Sequence, residues 1–134
     1  MNKKESDIFM GQLNEDYIKD VICSHFDFKS MLKLDLFHPM DFHSNNKYFE
    51  IKSRRFNHNK YETTMVGKNK IEWVRENYIE GIDFYFVFVF EDGDYFYKYN
   101  PEDEFKTGLG GRCDRGRDEI KLYYYIPINK MTKF

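Results

Sequence analysis

Acidic and basic side chains that fall on one face of a short segment are the residues from which chemistry can be built. The segment Tyr48-Phe49-Glu50-Ile51-Lys52-Ser53-Arg54-Arg55 holds such a set. Read as a strand, it sends Phe49 and Ile51 to one side and Glu50 and Lys52 to the other. A carboxylate and an ammonium on a strand that otherwise reads as core must be paired or metal-bound, because buried charge is costly. Asp41 precedes a turn at Ser44-Asn45-Asn46, and a hairpin there brings it back beside Glu50. Two carboxylates with a lysine alongside describe a magnesium site facing a phosphate. Asp35 is a rival for the acidic partner. Asp41 is preferred because it follows Pro39-Met40 and needs only one tight turn to meet Glu50. A Glu-x-Lys pair on an exposed strand is also an ordinary solvated face, so the case rests on the elements around it.

Those elements read as follows. Ser6 to His25 forms a first helix with Ser6 or Asp7 as N-cap. Its inward stripe runs Ile8, Gly11, Glu15, Ile18, Ile22 and His25 or Phe26, so Glu15 either looks at a sheet beneath the helix or flanks the stripe and reaches water. Met31 to Phe37 reads as a strand ended by His38-Pro39. After Arg55 comes a polar connection, Asn57 to Thr64, and then a second helix from Gly67 to Tyr78. Lys68 and Lys70 lie in its first turn, opposed to the helix dipole but well placed for an anion. Gly81 closes that helix. Asp83 to Phe90 is a strand buried on both faces, and Tyr95 to Tyr99 returns as its hairpin partner across Glu91-Asp92-Gly93-Asp94. Asn100 to Asp118, with Gly108, Gly110, Gly111, Arg112, Arg115 and Arg117, reads as a mobile loop. Ile120 to Ile128 is the last strand, and Asn129 to Phe134 carries no pattern.

The 134 residues suit one domain, 1–134, and the 19% aromatic content suits a compact α/β sheet. A net charge of −2 provides no global field for nucleic acid. It argues against a nonspecific DNA binder, while leaving room for a nuclease with a local basic patch of Arg54, Arg55, Lys68 and Lys70 around acidic metal ligands. Cys23 and Cys113 show neither paired nor zinc-like spacing and read as free thiols in a reducing compartment. Nothing resembles a signal peptide, and the apolar run Phe84 to Phe90 is too short to span a bilayer. The expectation is an intracellular protein, in cytoplasm, nucleoid or an infected host cell, with no membrane partner.

The order of these features resembles the PD-(D/E)XK nuclease superfamily. Pro39-Met40-Asp41 is similar to its first acidic motif, with one extra residue between proline and aspartate, and Glu50-Ile51-Lys52 to its second. Gly11-Gln12-Leu13-Asn14-Glu15 looks like the first-helix motif of Holliday junction resolvases. The resemblance covers roughly the first eighty residues. It implies a restriction-endonuclease-like core, a central mixed β-sheet flanked by helices, and metal-dependent hydrolysis of DNA phosphodiester bonds. It also implies that Asp41, Glu50 and the backbone carbonyl of Ile51 bind magnesium, with manganese able to substitute. Lys52 would orient or activate water, and Glu15 would hold a second metal or a metal-bound water. The short chain points to structure-directed cleavage of junctions, branches or ends, and such enzymes commonly work as homodimers. The alternative is a catalytically inactive, nuclease-like nucleic-acid-binding or assembly protein.

Overall fold

In the computed structural model, residues 2–110 and 121–134 are described, 7–13 by their backbone alone. The chain forms α1 (Lys3–Phe26), β1 (Leu32–Lys33), β2 (Phe42–Ser44), β3 (Lys47–Ser53), β4 (Thr63–Gly67), α2 (Lys68–Asn77), β5 (Asp83–Phe90), β6 (Gly93–Lys98), β7 (Thr107–Gly110), β8 (Lys121–Pro127), a 3-10 turn (Ile128–Lys130) and β9 (Thr132–Lys133). The fold is the expected mixed α/β one. A six-stranded sheet runs β1-β2-β3-β5-β6-β9, and a second, three-stranded sheet runs β4-β8-β7. Within the first sheet β3 and β5 are parallel, and every other pairing is antiparallel. Among the described residues, no helix is long and apolar enough to cross a membrane.

β5 is the spine because every residue after Asp83 is buried. Its alternation sends Phe84, Phe86, Phe88 and Phe90 into one core, shared with Ile71 and Val74 of α2 and Val66 and Ile126 of the second sheet. Tyr85, Val87 and Val89 enter another core, with Phe49 of β3 and Ile18 and Ile22 of α1. Glu50 and Lys52 point away from Phe49 and so lie on the face covered by α2 and the second sheet. The register between β3 and β5 is pinned where Lys47 meets Asp83, its paired residue, at 2.6 Å.

Four sequence expectations are corrected. The first helix starts earlier, because Asn2 caps it: Asn2 Oδ1 accepts from Glu5 N at 2.8 Å and Glu5 returns the bond in a capping box. The strand expected over Met31 to Phe37 shrinks to Leu32–Lys33. There Asp35 Oδ1 takes the Phe37 N–H at 3.2 Å, and the turn it makes leaves Leu36 and Phe37 exposed. The glycine-rich segment contains a strand, β7. A Cβ at Gly108 would lie 2.8 Å from Tyr125 Oη and one at Gly110 2.6 Å from Met65 Sδ, so glycine is what lets these side chains cross the strand. The remainder of that segment with Arg112, Cys113, Arg115 and Arg117 lies outside the described residues. The patternless tail supplies β9, and Phe134 packs on Phe96 with ring centroids 4.9 Å apart.

Arg54 joins the two sheets and is engaged inside the fold. Its Nε donates to Thr64 Oγ1 at 3.0 Å and its Nη1 to Ser53 O at 3.2 Å. Nη2 donates to Met65 O, and the guanidinium lies over the Phe88 ring. Arg54→Ala strips these partners of their donors and is expected to lower unfolding free energy by about 2–4 kcal/mol. Urea denaturation with an unchanged slope and a lowered midpoint is the measurement.

Candidate functional site

Asp41 reaches its position through a short, well-braced segment. Asn45, at φ 54°, makes the left-handed step of the two-residue turn between β2 and β3. Ahead of β2, Met40 N donates to His38 Nδ1 at 3.0 Å. The His38 ring meets Trp73 of α2 edge-on at 4.9 Å and stacks parallel to Tyr48 at 6.1 Å. Asp41 then bonds to residues on both sides of Glu50. Its N–H donates to Phe49 O at 2.8 Å, and its Oδ2 accepts from Ile51 N at 2.7 Å. The two carboxyls are thereby held side by side.

The electrostatics record that apposition. Burial, then hydrogen bonding with Glu50 and its negative charge, push the Asp41 carboxyl up to about 7, against the pull of the Ile51 N–H and Lys52. Glu50 is only 2% exposed. Lys70 Nζ, from the first turn of α2, comes within 2.9 Å of Glu50 Oε2 and donates to Pro39 O at 2.9 Å. The approach to Glu50 is a charge contact without hydrogen-bond alignment, so among the described residues Oε2 remains a buried acceptor with no hydrogen-bond donor. Lys52 is desolvated, which lowers its pKa, with Lys70 and Arg54 adding to the fall and Glu50 and Asp41 opposing it. The residue as a whole is half-buried, and among the described residues its ammonium makes no ion pair or hydrogen bond.

Asp41, Glu50, Ile51 and Lys52 therefore come together, joined by Lys70. Asp35 sits exposed in its turn, where its Oδ1 accepts from Phe37 N. Glu15 is on α1, which covers the opposite face of the sheet, where Asn14 Nδ2 donates to Ser53 Oγ at 3.1 Å. The Glu15 carboxylate turns to Lys33 at 3.3 Å, so the structure does not bring it to the acidic pair. Of the basic residues, Lys68 pairs with Glu72 one turn along at 3.5 Å, and Arg55 is exposed at the end of β3. His38 and Trp73 as braces and Lys70 as partner of Glu50 were not read from the sequence. The signal available for Lys70 was its place after Gly67, where the helix start has no side-chain cap and no acidic residue in its first turn.

A divalent ion fits this donor set. Among the described residues, no group of three or more acidic, histidine or cysteine side chains is arranged for a metal, which leaves the carboxylate pair. One or two carboxylates with water completing the shell suit magnesium. The Oε2 without an aligned donor and the raised Asp41 carboxyl both favour a cation beside the pair. Residues 9–134 match the family described as "Phage putative PDDEXK endonuclease", and the chain belongs to that family. No curated protein matches the chain.

The raised Asp41 carboxyl fixes the sign of a stability effect. The folded, metal-free protein keeps a proton that the unfolded chain releases at lower pH, so stability falls as pH rises from the ordinary aspartate range to about 7. Asp41→Asn removes the repulsion while keeping an acceptor for Ile51 N. In chelator at pH 8 it is expected to be more stable than the unmodified protein, by on the order of 2 kcal/mol, with the difference shrinking as pH falls and disappearing only near the ordinary aspartate range, about pH 4. Thermal melts at the two pH values measure it.

Proposed function

We propose that this member of the PDDEXK endonuclease family hydrolyses DNA phosphodiester bonds with a magnesium ion held by Asp41, Glu50 and the backbone carbonyl of Ile51, manganese being able to replace it. The observation that carries the reading is the gathering of charged groups at one spot: the apposed Asp41 and Glu50 carboxyls, a Glu50 oxygen without an aligned hydrogen-bond donor and, among the described residues, a Lys52 ammonium with no ion pair. In a core built only for stability such groups are costly, whereas a reaction centre uses them. When bound, the ion would supply positive charge to the scissile phosphate and lower the pKa of water.

The chain's own residues do the remainder. Asp41 and Glu50 present their oxygens as one rigid pair, because Asp41 is tied to β3 on either side of Glu50. Lys52 is on the same face as Glu50, and its ammonium orients the attacking water and steadies charge developing on the phosphate. Glu15, paired with Lys33 beyond the sheet, is left out of the reacting group in this reading. Arg55 and Lys68 contact flanking phosphates. The substrate we favour is branched or otherwise distorted DNA, cut by a homodimer resembling the junction resolvases, because Arg55 and Lys68 offer contacts to phosphates, which carry no base sequence.

The test is cleavage of linear, nicked, flapped and four-way DNA with magnesium or manganese. Lys52→Ala is expected to slow single-turnover cleavage by about 10²–10⁴-fold with DNA binding retained, and added manganese does not restore it. Arg55→Ala with Lys68→Ala is expected to flatten the salt dependence of DNA binding by about one logarithmic unit for each phosphate left without its cation. Tight binding of branched DNA with no turnover under any divalent ion would instead identify a binding module.

A further inference from the structure

The cation nearest the acidic pair belongs to the chain. Lys70 Nζ is 2.9 Å from Glu50 Oε2 and 2.9 Å from Pro39 O, so two oxygens of the hairpin segment hold one ammonium. We propose that Lys70 is a resident counterion, occupying the cation position of the acidic pair until a divalent metal displaces it and frees the ammonium for a DNA phosphate. This rests on the reading of Asp41 and Glu50 as the metal-holding pair.

Distance makes the two cations competitors. Magnesium sits about 2.1 Å from a ligand oxygen. An ion on Oε2 would thus place its charge at most about 5 Å from Nζ in its present position, inside a poorly screened site. Charge points the same way. Lys70 already lends its charge to Glu50, so a divalent ion on the same oxygen would crowd two cations together, which the departure of Lys70 relieves.

The route out is also present. Lys70 springs from the first turn of α2, where its flexible stem can swing without disturbing the helix. Its side chain keeps 25% exposure, against 3% for the Glu50 side chain beneath it. The contact with Oε2 lacks hydrogen-bond alignment, so a hard cation gains an oxygen that the lysine holds only by charge. Lys52 does not substitute in this role, since among the described residues it forms no ion pair with either acid.

Calorimetric titration of manganese into the DNA-free protein tests the competition. Lys70→Gln is expected to bind manganese about tenfold tighter than the unmodified protein. Lys70→Arg, which keeps the charge, is expected to bind no tighter. With calcium in place of the catalytic ion, Lys70→Gln is expected to bind DNA more weakly, its salt slope reduced by about one logarithmic unit. Near-ultraviolet circular dichroism confirms that the variants are folded. Manganese affinity in Lys70→Gln equal to or below that of the unmodified protein overturns the proposal and makes Lys70 a support for the carboxylates. Titration of Asp41→Asn separates the premise: manganese binding unchanged there removes the acidic pair as the metal site, whatever Lys70 does.

Discussion

Two carboxylates forced together at the base of a hairpin are the constraint around which the described structure is arranged. Asp41 cannot withdraw from Glu50 without losing backbone bonds to Phe49 and Ile51, which flank it on β3. Like charges so placed repel, and the structure answers with a retained proton on one acid and the Lys70 ammonium on the other. The brace of His38, Tyr48 and Trp73 keeps the segment before Asp41 from relaxing outward. Local geometry that is unfavourable by itself therefore persists because its surroundings over-determine it.

Holding that arrangement needs a stiff floor, and β5 supplies it. Its aromatic residues are buried on both faces, each contributing roughly 2–3 kcal/mol of transfer free energy, enough together to offset several desolvated polar groups. The two cores it separates have different tasks. The α1 side is apolar where it meets β3, through Phe49, Tyr85 and Val87. The α2 side combines an equally apolar centre with the charged cluster at its margin, and Arg54 ties that margin to the second sheet.

The parts legible in sequence were those with strong short-range patterns. Alternation along β3 separated Glu50 and Lys52 from Phe49 and Ile51, and the double burial of β5 followed from its unbroken aromatic and β-branched run. The Asn45-Asn46 turn was visible because asparagine tolerates the left-handed step. Of the second sheet, the central strand β8 was visible and its two partners were not. Thr63–Gly67 is short, and Thr107–Gly110 carries two glycines, a composition that signals loop until Tyr125 and Met65 are seen lying across it. The role of Arg54 was hidden for a related reason: a basic residue beside an acidic motif reads as a phosphate contact, and only the position of β4 shows its donors already engaged. Glu15 followed helical spacing to the inner face of α1, but spacing alone does not say that this helix lies across the sheet from Glu50.

The six-stranded sheet ends on one side in Leu32–Lys33 and on the other in Thr132–Lys133, each only two residues long. Such stubs offer an incoming strand very few backbone groups to pair with, and each carries a lysine whose charge further discourages addition. A second copy of the chain therefore has little to gain by adding a strand at the Leu32–Lys33 edge, and any symmetric pairing there is steered toward contacts between side-chain surfaces.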